Sequence, residues 1–377
     1  MAKRILITST DLMMLQFLVP HVINLSHNGY EIEIACSNVG GRKKELYDKL
    51  EEYVRKIHIV RLERSPIALT NFMGYNDLKK IIRQGHYNLI WTNEPVMGIM
   101  TRIAAQEVRT QGSKVIYMTH GFHFYKGAPK RNWLFFYTIE KWASRLCDEI
   151  VTINREDYKR AKKMYAPSVK YIHGIGINPN RMKIKGENGD IYQELALKDE
   201  NFLMVSVGEL NENKNHQVII KALGKLKDKS IHYVVCGKGE QLENLKKLAE
   251  KLEVSNNVHF LGYRLDVLDI CKKANLFVFP SYREGLPISP LEAMYCGLPL
   301  ITSNIRGPVD FMEEGKTGYL ISPDNIDGFA EKIKKLKNNP KLCEKIGENN
   351  RLAVRPFLLN SSKREVLNLV NDILKEQ

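Results

Sequence analysis

Two glutamates, Glu284 and Glu292, bracket the stretch Glu284-Gly285-Leu286-Pro287-Ile288-Ser289-Pro290-Leu291-Glu292. The apolar run Leu276-Phe277-Val278-Phe279-Pro280-Ser281 before them reads as a buried parallel strand, and Ser289 onward reads as a helix start. One carboxylate is therefore expected on a strand-exit loop and the other in the first turn of the next helix. Open α/β sheets bind ligands at the carboxyl ends of their strands, and helix N-termini attract phosphate. Ionised carboxylates only accept hydrogen bonds, so such a pair suits the hydroxyls of a sugar and a ribose on either side of a diphosphate. A structural reading stands beside this one. Ser289-Pro290-Leu291-Glu292 also has the pattern of a capping box, with Ser289 at N-cap, Pro290 at N1 and Glu292 at N3. That reading accounts for Glu292 but not for Glu284 or Gly285-Leu286-Pro287.

Other chemistry-bearing residues fall at expected strand exits. In Val207-Gly208-Glu209-Leu210-Asn211-Glu212-Asn213-Lys214, Gly208 permits a tight turn and Lys214 opens a helix. A lysine there is a compact charge suited to a diphosphate, with a merely solvated lysine as the plain alternative. Gly237-Lys238-Gly239 is a G-x-G turn, weak evidence by itself. Gly262-Tyr263-Arg264 brings Arg264 to a strand end where it can meet a nucleobase. Gly285-Leu286-Pro287 leads its backbone amides into a helix, an anion site that needs no metal. In the first half, His120-Gly121 follows a strand and can hydrogen-bond a sugar hydroxyl, although an isolated histidine is more often structural. His173-Gly174-Ile175-Gly176-Ile177-Asn178 reads as a hinge, and Asp310 is a weak further candidate that ordinary loop polarity explains better.

These residues need a scaffold of alternating strands and helices. In the first half, strands are expected at Arg4–Ser9, Glu31–Ser37, Ile57–Leu62, Leu89–Thr92, Val115–Thr119, Glu149–Ile153 and Val169–Ile172. In the second, they are expected at Phe202–Val207, His232–Cys236, Val258–Leu261, Leu276–Pro280, Leu300–Ser303 and Gly318–Ile321. Helix-length segments such as Asn215–Lys227, Gln241–Leu252 and Ile326–Lys337 separate them, which implies βαβ units and parallel sheets. The polar stretch Ile177–Asn201 carries the expected boundary. It divides an N-terminal domain, 1–178, from a C-terminal domain, 179–357, with a helix over 358–377 packing back on the first. Two doubly wound domains are expected to face an interdomain cleft.

Composition narrows the function classes. The 377 residues are 44% hydrophobic and 27% charged, as in an ordinary soluble protein. No apolar run is long enough to span a bilayer, and Met1-Ala2-Lys3-Arg4 leads straight into a strand, not into a signal-peptide core. The six cysteines stand singly without C-x-x-C spacing, which argues against a metal site or a disulfide framework and fits a reducing cytoplasm. Residues 1–180 carry 27 Lys+Arg against 16 Asp+Glu, so most of the formal charge of +14 lies there. The first half is expected to meet an anionic substrate or an acidic membrane face; no nucleic-acid motif supports the third anionic class.

Taken in order, His120-Gly121, Gly208…Lys214, Gly237-x-Gly239 and Glu284-x7-Glu292 resemble glycosyltransferase family 4, retaining enzymes of the two-domain GT-B fold. The match covers most of the chain, and the block Arg283-Glu284-Gly285-Leu286-Pro287 to Glu292 is its most specific part. Within the family, the His120–Pro129 stretch resembles enzymes of capsule and exopolysaccharide assembly. The resemblance implies that Glu292 binds the nucleotide ribose and Glu284 the donor-sugar hydroxyls. Lys214 and the amides near Leu286 and Pro287 neutralise the diphosphate, and His120 touches the sugar at the reacting face. Arg283 or Arg264 is expected to assist, because Glu209 stands where many members have a basic residue. Ser9–Met14 likewise replaces the usual Gly-Gly loop and is expected to form an acceptor-specific loop.

The acceptor side rests on Lys126, Lys130 and Arg131 next to the aromatic run Trp133–Tyr137, with Leu12–Leu18 as a second apolar surface. Cationic and amphipathic groups together suit an anionic headgroup layer, although a core-facing helix explains the aromatics equally well. The expected partners are a nucleotide-sugar donor, in particular a UDP-sugar, and a polyprenyl-diphosphate-linked saccharide met at the cytoplasmic membrane face; no cofactor and no metal are expected. A sugar-nucleotide epimerase of GT-B-like fold and a non-catalytic polysaccharide-assembly partner are the alternatives.

Overall fold

The computed structural model describes residues 2–39, 43–178 and 190–375. The chain forms two compact units, Met1–Gly176 with Leu359–Gln377, and Ile177–Leu358. Part of the polar stretch expected to hold the boundary, 179–189, lies outside the described residues.

In the first unit the strands are β1 (Arg4–Asp11), β2 (Glu31–Val39), β3 (Lys56–Ile59), β4 (Leu89–Asn93), β5 (Lys114–Thr119), β6 (Glu149–Thr152) and β7 (Ser168–Tyr171). They pair in the order β3-β2-β1-β4-β5-β6-β7, every pair parallel. The second unit contains β8 (Phe202–Val207), β9 (Ile231–Cys236), β10 (Val258–Gly262), β11 (Leu276–Phe279), β12 (Leu300–Ser303) and β13 (Gly318–Ile321). Their order is β10-β9-β8-β11-β12-β13, again all parallel. Strand order therefore reverses between β1 and β4 in one sheet and between β8 and β11 in the other. These are the topological switch points where such sheets bind ligands.

Side chains that alternate along each strand explain the apolar runs. Met204, Tyr233, Val235, Val278 and Ile301 face one core of the second unit, whereas Leu203, Val205, Val234, Phe277 and Leu300 face the other. A parallel sheet covered by helices must bury both faces, so its strands read as mostly apolar runs, with a few buried hydroxyls such as Ser206 and Thr302 among them.

Leu359–Lys375 is a helix of the first unit and buries Val366, Val370, Ile373 and Leu374. Glu365 holds His173 through its backbone N–H at 2.9 Å and Nδ1 at 2.6 Å, and Ser362 donates to the Gly174 carbonyl. A Cβ on Gly176, where φ is +81°, would lie 2.7 Å from Leu359 Cα. The expected hinge is thus a tightly tied segment over His173–Gly176.

Two expectations about the N-terminal edge are corrected. β1 runs to Asp11 and the next helix begins at Leu12, so no loop is inserted between them. Leu15 and Leu18 of that helix are fully buried instead of forming an apolar surface, because the helix lies on the sheet.

Candidate functional site

The β8 and β11 exits bring Lys214 and Glu284 of the second unit together. After β8, Asn211 Oδ1 accepts from the Lys214 backbone N–H at 3.0 Å and closes a single helical turn, Glu212–Lys214. Asn215 then takes a left-handed conformation (φ 52°) before the helix His216–Leu226. Asparagine tolerates that region because its short amide satisfies nearby backbone groups. Here the buried Asn215 amide donates to the Pro280 and Pro323 carbonyls at 3.2 and 2.9 Å. Asn213 joins the same two loops: its amide donates to the Arg283 carbonyl at 3.0 Å, and its carbonyl accepts from Tyr282 N–H at 2.8 Å. Below them, His216 Nδ1 is 2.9 Å from the Tyr233 hydroxyl, which donates to Ser206 Oγ at 2.8 Å. Ser206 in turn donates to the Val278 carbonyl at 2.5 Å, coupling β8 to β11.

This frame brings Lys214 Nζ to 2.6 Å from Glu284 Oε1, with both side chains mostly buried and the lysine 5.0 Å above the Phe279 ring. Gly208 makes room for the lysine stem, since a Cβ there would lie 3.2 Å from Lys214 Cε. Gly237 and Gly239 serve backbone packing. A Cβ on Gly237 would meet the Gly208 carbonyl oxygen at 1.8 Å, and one on Gly239 the Leu210 carbonyl oxygen at 2.3 Å. The loop after β12 supplies Arg306, whose Nε donates to the Glu284 carbonyl at 2.8 Å. Gly307 (φ +91°) leaves its missing Cβ 2.6 Å from the Gly285 carbonyl oxygen. Neither residue was singled out from the sequence, where isolated Arg-Gly-Pro has no spacing signal.

The capping box is not formed. The helix is Ile288–Cys296 with Pro287 at its N-cap, so Ser289 lies inside the first turn and donates to the Val207 carbonyl at 3.1 Å. Glu292 consequently sits at the start of the second turn, half-buried, two residues beyond the position expected. Pro287 has no N–H, so the amides available to an anion are those of Gly285, Leu286, Ile288 and Ser289.

Arg264 is not available to a base. Its guanidinium is held by Asp266 at 2.7 and 2.6 Å and by Glu194 at 2.7 and 3.0 Å. These carboxylates raise its pKa well above the usual value. Arg283 is exposed, as is Glu209, whose carboxylate accepts from the Asn211 amide at 2.8 Å.

In the first unit, His120 follows β5, its Nε2 3.2 Å from Asn93 Oδ1 at the end of β4. Burial lowers its pKa to about 4, so the imidazole is neutral at pH 7. Glu94 was not anticipated from the sequence. It has φ 63° and ψ 158°, a region nearly closed to residues with a side chain. Its carboxylate accepts from Ser9 Oγ at 2.8 Å and Thr10 N–H at 2.5 Å, pinning the β1 and β4 exits together.

The aromatic run splits between both readings. Trp133–Tyr137 forms one π-helical turn in which Trp133 and Tyr137 pack on the core, with Arg160 4.5 Å over the indole. Trp133 is therefore half-buried, its indole packed on the core beside Phe124. Leu134, Phe135 and Phe136 are exposed, as are Lys126, Lys130 and Arg131.

Comparison with known proteins bears on this arrangement. The family model for glycosyl transferases group 1 matches residues 188–353, and the glycosyl transferase 4-like model matches residues 7–154. EpsD of Bacillus subtilis (strain 168), whose name describes a glycosyltransferase, is 36% identical over 95% of this chain and 93% of its own length. The chain belongs to the group 1 glycosyltransferases. The transferase is also similar to the Escherichia coli UDP-Gal:alpha-D-GlcNAc-diphosphoundecaprenol alpha-1,3-galactosyltransferase, at 27% identity over 82% of this chain and 80% of that one. CapM, a capsular polysaccharide biosynthesis glycosyltransferase of Staphylococcus aureus, is 27% identical over 87% and 88%. Among solved structures, Anabaena HepE in complex with UDP superposes with a TM-score of 0.79 at 18% identity, over 98% of this chain and all of that one. WaaG gives 0.72 at 17% identity over 97% and 99%. The two Rossmann-like units are those of the GT-B fold.

Proposed function

We propose that this transferase moves a sugar, with retention of anomeric configuration, from a UDP-sugar to a polyprenyl-diphosphate-linked saccharide in capsule or exopolysaccharide synthesis. The observation that carries the donor half is the Lys214–Glu284 pair at the β8/β11 switch point, beside the amides that open the Ile288–Cys296 helix. An arriving diphosphate competes with Glu284 for the ammonium. Glu284, released, accepts hydroxyls of the donor sugar, and Glu292 accepts those of the ribose. A relative named for UDP-Gal and a diphosphoundecaprenol acceptor, and a structural neighbour solved with UDP, support the same choice.

The hard step is departure of UDP. The bond from the anomeric carbon to the diphosphate oxygen breaks, its electron pair leaving with UDP, while the acceptor hydroxyl oxygen bonds to that carbon. The hydroxyl proton leaves with the departing phosphate oxygen. Charge develops on UDP, where Lys214 and the helix amides stand ready, the efficient form of electrostatic catalysis. A neutral His120 hydrogen-bonds the reacting sugar without adding charge. No metal is assigned a role, since the lysine and the helix dipole neutralise the diphosphate. The basic first unit adsorbs to the anionic inner face of the cell membrane.

Transfer assays with radiolabelled UDP-sugars and a GlcNAc-diphospho-polyprenol test this reading, run with and without EDTA and followed by proton NMR of the product. An α-linked product from an α-linked donor, formed at the same rate in EDTA, is expected. Inversion, strict metal dependence, or release of an epimerised UDP-sugar without acceptor would overturn it.

A further inference from the structure

Beside His120 the first unit holds a cavity of about 560 Å³, within the range of small-molecule sites. At the strand exits it is bordered by Thr10, Glu94 and Thr119. Away from them its wall is carbon: Ile99 and Met100 of one helix, Phe122 and Phe124, and Phe136 and Ile139 of the π-helical segment and its continuation. Tyr117 and Glu140 also line it, but the Glu140 carboxylate is held by the buried Arg102 at 2.8 Å and reached by the Tyr117 hydroxyl at 3.2 Å. The wall therefore presents no unneutralised charge there.

Two segments bordering the cavity carry exposed apolar side chains. Arg64 and Pro66 line it, and just beyond them Ile67, Leu69 and Phe72 are 87%, 92% and 73% exposed. On the other segment Leu134, Phe135 and Trp142 are also exposed. Exposed apolar groups at this density mark a lipid or ligand surface. A sugar or peptide would need hydrogen-bond partners that Met100, Phe136 and Ile139 cannot supply. Arg64 lines the cavity, and exposed Lys126, Lys130 and Arg131 lie on the chain segment between its lining residues Phe124 and Phe136, which adds the complement of an anionic head.

We infer that this cavity receives the first isoprene units of the acceptor's polyprenyl chain, with Arg64 and the basic residues of the Lys126–Arg131 segment taking its diphosphate. This rests on the lipid-linked acceptor proposed above, and it makes the lipid itself, not only the saccharide, part of what the site recognises.

Intact protein titrated with inorganic diphosphate, geranyl diphosphate and farnesyl diphosphate, all below micelle-forming concentrations, tests the inference. Affinity is expected to rise about tenfold or more for each added isoprene unit. Met100→Trp, which fills the cavity, and Ile139→Asp, at its half-exposed rim, should each remove most of that gain. Melting curves show which variant is folded, and the rim variant serves if the filled one is not. Equal affinity for all three diphosphates, or unchanged chain-length dependence in a folded variant, would overturn the inference. UDP titrations of the same samples report on the donor site independently. Transfer to a GlcNAc-diphospho-polyprenol that Ile139→Asp leaves undiminished would also refute the cavity while sparing the acceptor. Transfer only to saccharides without lipid would sink the lipid-linked reading and the cavity with it.

Discussion

At the scale of single residues, the decisive contact is Lys214 with Glu284. Both are mostly buried, and removing one leaves the other's charge uncompensated. We expect Lys214→Ala to lower kcat by roughly 10²- to 10³-fold, the size seen when one preorganised charge-stabilising donor is lost. Glu284→Ala should slow transfer more than it weakens UDP binding; steady-state kinetics with wild-type rates for either variant would contradict these roles. Histidine burial gives a second prediction. Burial lowers His21, His120 and His216 to about 4, against an ordinary value of 6.5. Between those values the unfolded chain binds protons that the folded imidazoles refuse. Stability is therefore full above pH 6.5 and falls as pH drops toward 4, by at most about 1.4 kcal/mol per pH unit for each histidine. Urea midpoints measured from pH 7.5 to 4.5 check the sign; a midpoint that rises on acidification would refute it.

At the scale of elements, the glycines separate packing from binding. Gly237→Ala puts a Cβ against the Gly208 carbonyl and must move backbone, so a loss of about 1–3 kcal/mol is expected. Gly208→Ala meets only the flexible Lys214 stem and should lower activity more than stability. Paired denaturation curves decide this, and equal stability of the two variants would contradict it. The strands were legible because parallel sheets write their burial as apolar runs: Phe202–Val207, Leu300–Ser303 and Gly318–Ile321 are read from sequence to the residue. Glu284 and Lys214 were legible as charged residues at strand exits. Helix starts were less so. Ser289-Pro290-Leu291-Glu292 satisfies the capping pattern, yet the helix begins a turn's fraction earlier, because Ser289 finds the Val207 carbonyl instead of its own backbone. Arg264 read as a ligand group because sequence cannot show that Glu194 already holds it. Glu94 carries no sequence mark, since its strain depends on two strands meeting.

At the scale of the whole molecule, most of the formal charge lies in the first half of the chain, whereas the proposed anion site belongs to the second unit. Among the described residues no helix is long and apolar enough to cross a membrane. Attraction of the basic first half to anionic lipid is screened within about 8–10 Å at physiological salt. Adsorption to phosphatidylglycerol vesicles is therefore expected to fall steeply between 50 and 300 mM salt, as read by co-sedimentation in about that range. Salt-insensitive or absent adsorption would refute membrane attraction. The central claim, a nucleoside-diphosphate site at the β8/β11 exits, is tested most directly by calorimetric titration of UDP into the intact protein and into Glu292→Ala. Binding by the wild type that is lost or weakened about tenfold or more in the variant is the predicted result. No binding of UDP, or equal binding by both proteins, would contradict it.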